Sequence, residues 1–294
     1  MNLKSLNRRQ VLMGAAMLGV GAVAAPNLGL AQNMKPDIDV DVLNFALNLE
    51  YLEAEFYLAA VGRRPSYEIS GGGVPPGNVI GGKPVKFSNT AAGRAARDYA
   101  EEIATDEENH VIFLRKALGD KAVARPTIDI GPAFAAAAAA ASKNGIKNFS
   151  PYTNELFFLH GAFIFEDVGV TAYKGAAALI TNPAYLEAAA GILAVEAYHA
   201  GIVRTLLYQQ RATKVATGYN VEQVVEAISF LRDSVDGATV IDQGVTMKNK
   251  ANLVPTDENS IAFSRTTEQV LKIVYLGGNG KGGFFPNGLN GKIK

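Results

Sequence analysis

The chain has 294 residues, of which 48% are apolar and 19% charged, as is typical of a globular protein. Lysine plus arginine (28) equals aspartate plus glutamate (28), so no net charge points to nucleic acid or to an anionic membrane surface. The absence of cysteine excludes thiolate catalysis, cysteine-based zinc sites and disulfides.

The first 31 residues are interpreted as a cleaved export signal. Arg8 and Arg9 precede an apolar run from Val11 to about Val23, which is too short and too rich in glycine for a membrane span. The arginine pair resembles a twin-arginine signal, and an ordinary secretory signal is the alternative. Either signal predicts cleavage before Gln32 and a mature protein that is periplasmic or otherwise exported.

Two long helices are predicted in the first half of the chain. The first covers residues 40–61 and ends at Gly62. The second covers residues 91–118, with Thr90 as its N-cap. Between them, residues 62–89 are rich in glycine and proline and are predicted to form an extended loop, which could cover a site or form a dimer surface.

Two further long helices follow a crossover. Residues 120–149 contain an alanine-rich run that predicts one short helix within the crossover. The third long helix is predicted to start with Ser150 as its cap, and the fourth starts with Asn182, each followed by proline. Since only a few residues link the third and fourth helices, they are expected to be antiparallel neighbours. Four long helices with one long crossover predict an all-α four-helix bundle over residues 32–211.

Residues 212–294 are interpreted as a C-terminal extension that packs on the bundle. The run "NVEQVVEAISFLRDSV" predicts a fifth helix, and the end of the chain is rich in glycine. This end lacks the strand-to-helix context of a phosphate-binding loop, so nucleotide binding is not expected there. Phe284 and Phe285 are expected to pack against the bundle.

Two Glu-x-x-His motifs are the candidate metal-binding residues. Glu107 and His110 lie on the second helix, and Glu196 and His199 on the fourth. Residues three apart on a helix share a face, so each pair can present a carboxylate and an imidazole to one ion. Both motifs fall at core spacings, where polar groups need partners. Hydrogen-bonded core pairs without metal are the alternative.

The first and third helices repeat one plan. Each carries an inward glutamate that is followed seven residues later by a tyrosine: Glu50 with Tyr57, and Glu166 with Tyr173. The tyrosines are either hydrogen-bond partners of the ligand carboxylates or packing residues with a satisfied hydroxyl.

Glu53 also lies near an apolar stripe of the first helix. When the two halves of the chain are aligned, Glu50 matches Glu166, whereas Glu53 matches Gly169. The repeat therefore predicts Glu50, and not Glu53, as the ligand.

This constellation resembles the di-metal carboxylate site of ferritin-like proteins, in which two helices supply one glutamate each and two supply Glu-x-x-His. More narrowly, the chain is similar to the bacterial and plant group that includes the desiccation-related proteins. The runs that carry this similarity are "LNLEYLEAEFY", "FEDVGVTAYKGA", "VEAYHAGIVR" and "GGFFPNGLNG". The resemblance covers about residues 38–290 and implies a ferritin-like four-helix bundle.

The resemblance also implies the cofactor and the ligand roles. Two divalent ions, iron or manganese, would balance the four carboxylates. Bridging ligands would be Glu107 and Glu196, with two terminal pairs, Glu50 with His110 and Glu166 with His199. Three residues are expected to lie on a solvated face: Glu101, Glu102 and Glu108. His160 is expected to be a core or surface histidine and not a ligand.

Three functions stay open at this point. The first is redox chemistry on peroxide or dioxygen, catalase-like or ferroxidase-like, in oxidative or desiccation stress. The second is metal binding without turnover, and the third is a structural stress protein. The expected partners are metal ions and peroxide or dioxygen, with no nucleic acid and no membrane once the signal is removed. Whether the protein forms a homo-oligomer stays open.

Overall fold

The computed structural model describes residues 38–216, 218–237 and 240–294. The predicted export signal and its cleavage site lie outside these residues. In the described part of the chain the helices are α1 (Asp39–Val61), α2 (Ala91–Leu118), α3 (Pro132–Ala141), α4 (Glu155–Ala177), α5 (Pro183–Gln209), α6 (Val221–Val235) and α7 (Thr267–Val274). The strands are β1 (Val79–Gly81), β2 (Ile128–Ile130), β3 (Lys214–Ala216), β4 (Tyr219–Asn220), β5 (Thr246–Met247) and β6 (Lys250–Ala251).

The four long helices α1, α2, α4 and α5 form a bundle. Helix α1 packs mainly on α2, and α4 packs mainly on α5, with further contacts between α1 and α4 and between α2 and α5. Residues between α2 and α4 form the long crossover, which contains β2 and the alanine-rich helix α3. The predicted all-α bundle with a long crossover is confirmed.

The helix ends follow the sequence signals at all but one position. Gly62 ends α1 in the left-handed conformation (φ 76°), and the Thr90 side chain caps α2 by accepting the backbone N–H of Gly93. The prediction that Ser150 caps the third long helix is wrong. Its carbonyl accepts the N–H of Thr153 in a turn, and Asn154 caps α4 instead.

The loop of residues 62–89 is fastened to the bundle and to the crossover. Strand β1 in this loop pairs in parallel with β2, in the register Val79 with Ile128. Glu108 was expected on a solvated face, but it is buried because its carboxylate accepts the Ser66 backbone N–H at 2.7 Å and pairs with Arg63. A glutamate on the outward side of α2 therefore serves to anchor the loop.

The C-terminal residues pack on the α1/α4 side of the bundle. Phe284 and Phe285 are fully buried. The ring centroid of Phe284 lies 4.8 Å from that of Phe165 on α4 and 5.1 Å from that of Phe134 on α3. These edge-to-face contacts tie the glycine-rich end of the chain to the core.

A buried network of ion pairs joins α6 and the residues before α7 to the bundle. Asp167 on α4 lies 2.8 Å from an Arg204 nitrogen and 3.0 Å from an Arg232 nitrogen. Arg232 also lies 2.8 Å from Asp242, which pairs in turn with Arg265. Each charge in this network therefore has an opposite charge beside it, as burial requires.

Helices α4 and α5 are long and apolar enough to cross a membrane by length and composition alone. Most of the apolar part of α4 is buried inside the protein, as expected of a core helix. The same apolar helices carry buried glutamates and a histidine, which face one another in the centre of the bundle.

Candidate metal centre

The structure brings the acidic and imidazole side chains of the four long helices together inside the bundle. Glu107, Glu196 and His199 are at most 2% exposed, and His110 is 9% exposed. Three overlapping groups have ligand atoms within 4.8 Å of one another: Glu50, Glu107, His110 and Glu196; Glu107, Glu166 and His199; and Glu53, Glu166 and Glu196. All six ligand residues predicted from the sequence are in this cluster, and their binding of metal stays a prediction.

The imidazole of His110 faces three carboxylates. Its Nδ1 atom lies 3.2 Å from Glu50 Oε2, 3.4 Å from Glu107 Oε2 and 4.0 Å from Glu196 Oε1. One residue from each of α1, α2 and α5 therefore converges on this nitrogen, as the Glu-x-x-His spacing predicts for a shared ion.

The imidazole of His199 faces the other side of the Glu107 carboxylate. Its Nδ1 atom lies 3.0 Å from Glu107 Oε1 and 3.6 Å from Glu166 Oε2. Each oxygen of Glu107 is therefore directed to a different imidazole, and the two rings are 6.5 Å apart between centroids. This is the arrangement in which one carboxylate can join two ions.

Asp106 was not identified from the sequence, although it directly precedes Glu107. Its Oδ2 atom lies 3.1 Å from His199 Nε2 and accepts that N–H in the tautomer that leaves Nδ1 free. A carboxylate on the far nitrogen fixes the orientation and tautomer of a metal-binding histidine. Asp106 therefore holds Nδ1 of His199 toward the cluster.

Many of the buried polar atoms in this cluster have no hydrogen-bond partner. One oxygen of Glu53, Oε2 of Glu166 and Oε2 of Glu196 have none, and the two oxygens of Glu107 and Nδ1 of His199 face only one another or His110. Buried polar atoms are almost always paired, so this many acceptors with few donors at one place form a site that a cation could fill. A set of carboxylate oxygens and imidazole nitrogens fits iron or manganese.

The two tyrosines donate hydrogen bonds to the predicted ligand carboxylates of the opposite half of the chain. Tyr57 on α1 donates its hydroxyl hydrogen to Glu166 Oε1 on α4, and Tyr173 on α4 donates to Glu50 Oε1 on α1. In both glutamates the second oxygen faces a histidine. Of the two interpretations that the sequence left open, the structure supports hydrogen bonds from both hydroxyls to predicted ligand carboxylates.

Glu53, which the repeat did not select as a ligand, also lies in the cluster. It is 6% exposed, and its ligand atom lies within 4.8 Å of those of Glu166 and Glu196. The alignment with Gly169 has a physical meaning that the sequence did not reveal. A β-carbon at Gly169 would overlap Glu196 Oε2 and lie 3.6 Å from Glu53 Oε1, so the glycine leaves the space that these carboxylates fill.

We expect Gly169→Ala to lower the metal content of the purified protein. The added methyl group would displace the Glu196 carboxylate, which cannot move far in a packed interior. Gly191→Ala on α5 is the matched control, because a β-carbon there meets no atom within 4 Å. Elemental analysis of both variants tests this, and an unchanged metal content in Gly169→Ala would contradict it.

The electrostatics of the cluster without a cation are unfavourable. Burial raises the pKa of Glu50 to about 7 despite the nearby charge of His110. Burial and the charges of neighbouring carboxylates raise the pKa values of Glu53 and Glu196 far above their usual range. Burial alone would lower the pKa of His110, but the charges of Glu50 and Glu107 and the hydrogen bonds to them together outweigh it and raise the pKa to about 12. Protons thus supply the positive charge that a cation would otherwise supply.

Metal affinity is consequently expected to fall as the pH decreases below about 7. A ligand group binds a cation only after it loses its proton, so protons and ions compete. Glu50, with a pKa of about 7, gains its proton as the pH falls through that value, and His110 must release a proton at any pH below about 12. Competition titrations with Mn²⁺ between about pH 8 and about pH 5.5, with measurement of released protons, test this. An affinity that does not change with pH would contradict it.

His160 lies outside the cluster, as expected. Its Nδ1 lies 2.6 Å from the Leu156 carbonyl oxygen and its Nε2 lies 3.4 Å from that of Val221. Burial lowers its pKa, so it is a neutral core histidine. Another acidic group in the described part of the chain (Asp233, Asp236, Asp242) lies in the ion-pair network, where arginines already supply positive charge.

Comparison with known proteins gives the family. The family described as Ferritin-like domain matches residues 38–209, which contain all four bundle helices and the whole cluster. The chain belongs to the ferritin-like family.

Two curated relatives extend the similarity beyond the bundle. The desiccation-related protein PCC13-62 of Craterostigma plantagineum is 33% identical over 251 residues, which are 80% of this chain and 77% of the relative. The ferritin-like catalase Nec2 of Nesocodon mauritianus is 28% identical over 284 residues, which are 92% of this chain and 89% of the relative. No solved structure shows a significant match. Both relatives thus align with this ferritin-like chain well beyond its bundle.

Proposed function

We propose that this ferritin-like protein binds two divalent ions, iron or manganese, between its four bundle helices and uses them for redox chemistry on hydrogen peroxide. The observation that carries the proposal is Glu107, whose two oxygens each face one of two histidines inside a group of unpaired buried carboxylates. One position would use Glu50 and His110, and the other Glu166 and His199.

A pair of redox-active ions supplies a store for two electrons. In peroxide disproportionation one peroxide is oxidised to dioxygen and gives up two electrons and two protons, and a second peroxide takes up both and becomes two waters. Electrons and protons therefore balance without an additional reductant. The relative named as a ferritin-like catalase supports this reaction for the present chain.

The residues of this chain would prepare the centre for that reaction. The hydroxyls of Tyr57 and Tyr173 hold one oxygen of each terminal glutamate and leave the other oxygen for an ion. Asp106 fixes the ring of His199. Burial excludes bulk water, which strengthens electrostatic interactions inside the centre.

A non-catalytic stress protein is the second candidate. The relative named as a desiccation-related protein is the more similar of the two in identity and favours this candidate. In this case the metal would only stabilise the bundle, because ions that bind the folded chain alone raise its stability.

Oxygen evolution from hydrogen peroxide distinguishes the two candidates. Protein loaded with Mn²⁺ or Fe²⁺ is compared with the metal-free protein and with a loaded Glu107→Gln variant. Turnover that needs both the metal and Glu107 supports the catalase-like function. A loaded protein that melts at a higher temperature but turns over neither peroxide nor Fe²⁺ would favour the structural candidate and contradict the redox proposal.

We also propose that residues 1–31 direct export and that the mature protein works outside the cytoplasm. The arginine pair followed by a short apolar run supports this. Mass spectrometry of the protein from cell fractions provides the test: a chain beginning near Gln32 in the exported fraction is expected, and a full-length chain confined to the cytoplasm would contradict the proposal.

A further inference from the structure

Glu53 gives the cluster a fifth carboxylate and makes its two halves unequal. We propose that Glu53 is a ligand of the ion beside His199, and that it makes this position the tighter of the two, so that the centre loads and releases its ions in two distinct steps. This inference rests on the proposed binding of two ions.

The first support is the environment of Glu53 itself. The side chain is 6% exposed and sits among apolar residues of α1 and α4. Its Oε2 atom has no hydrogen-bond partner. An ionised carboxylate in such a place is costly unless a cation or a donor compensates it. Since its ligand atom reaches those of Glu166 and Glu196, a cation between these three groups would compensate it.

The second support is Gly169. This residue is the equivalent of Glu53 in the second half of the chain, and its missing side chain is what makes room for Glu196 beside Glu53. The His110 position accordingly receives no extra carboxylate from α4. The two halves thus share Glu107 and Glu196 but differ by one whole charge.

The ligand groups at the two positions follow from these distances. Around His110 they are the carboxylates of Glu50, Glu107 and Glu196. Around His199 they are the carboxylates of Glu107 and Glu166. Glu166 in turn has ligand atoms of Glu53 and Glu196 within 4.8 Å. If Glu53 and Glu196, which both approach Glu166, also reach the ion beside His199, that ion has four carboxylates around it against three beside His110. Hard cations such as Mn²⁺ and Fe²⁺ bind more tightly where more carboxylates are available.

The exposure of the two histidines also indicates that the position beside His199 is the tighter one. His199 is 2% exposed and is held by Asp106, whereas His110 is 9% exposed. With Glu53 assigned to the other position, the ion beside His110 has fewer protein ligands, and its imidazole is the more exposed of the two. We expect this ion to bind second and to leave first.

The test is a titration of metal-free protein with Mn²⁺ under anaerobic conditions, followed by calorimetry and by electron paramagnetic resonance. The wild-type protein is expected to bind two ions in two steps. In Glu53→Gln the tighter step should weaken by roughly 10–100-fold, a loss seen even when a partner of a metal ligand is removed. In Glu50→Gln the weaker step should be the one affected.

Several outcomes would overturn the inference. Two equivalent steps in the wild-type protein would do so, as would a Glu53→Gln variant that keeps both affinities. If Glu53→Gln does not fold, Glu53→Asp takes its place: it retains the charge on a shorter side chain, and an unchanged tight step there would count against Glu53 as a ligand. A wild-type protein that binds no Mn²⁺ or Fe²⁺ would instead refute the proposed function, so the two failures are distinguishable.

Discussion

Glu107→Gln is expected to abolish the binding of both ions. Peroxide turnover should fall by a factor of at least about 100. Glu107 lies between the two histidines, with Oε1 at 3.0 Å from His199 Nδ1 and Oε2 at 3.4 Å from His110 Nδ1. Each of the other three predicted ligand carboxylates approaches only one of the two imidazoles within 4.0 Å. The amide of glutamine carries no charge and offers only one oxygen, so it cannot serve both positions.

Metal content and oxygen evolution are measured on the same preparation, beside Glu102→Gln as a control. Glu102 is an exposed glutamate on the same helix and should be replaceable without effect on either quantity. A Glu107→Gln protein that retains two ions, or that turns over peroxide at the wild-type rate, would show that the bridge is elsewhere.

Arg232→Met is expected to lower the free energy of unfolding of the metal-free protein by about 3–5 kcal/mol. The guanidinium is 2% exposed, and its nitrogens lie 3.0 Å from Asp167, 2.8 Å from Asp242 and 2.8 Å from the Phe163 carbonyl oxygen. Methionine fills a similar volume but leaves these acceptors without one of their buried donors. The loss should also loosen the attachment of α6 to the bundle.

Urea denaturation measures this effect, with Arg97→Met as the control. Arg97 pairs with Glu101 on the exposed face of α2, and exposed pairs of this kind contribute at most about 1 kcal/mol. Equal losses in the two variants would contradict the role assigned to the buried network.

The four long helices could be predicted because each combines an apolar stripe with clear end signals. Asn182 before proline and Thr90 after a polar loop act locally, so the sequence is sufficient to identify them. The start of α4 was predicted too early because Ser150 and Asn154, four positions apart, are both residue types that cap helices. A turn closed by the Ser150 carbonyl satisfies the chain there, and the helix begins at Asn154.

The ligand set was predictable to the extent that the two halves of the chain repeat. The repeat identified Glu50 and Glu166 correctly as members of the cluster, but it set Glu53 aside by assuming that the halves are equal. The inequality arises from Gly169, whose importance depends on how closely α4 approaches the Glu196 carboxylate. No local pattern contains that distance.

Contacts between side chains of distant segments could not be predicted from the sequence either. Asp106 looks like one more acidic residue of α2, and only the approach of α5 places it on His199. Glu108 looks solvated until the loop brings Arg63 and Ser66 to it. Such pairs join residues that are 42 to 93 positions apart, and a single sequence does not record which charges meet.

We expect two metal ions to lie between the carboxylates of the four bundle helices. Anomalous diffraction from crystals of the mature protein, purified without chelator and measured at the iron and manganese absorption edges, tests it most directly. Two peaks are expected, one beside His110 Nδ1 and one beside His199 Nδ1, with Glu107 between them. An ordered cluster without anomalous density, its carboxylates held only by protons or water after loading with either metal, would contradict it.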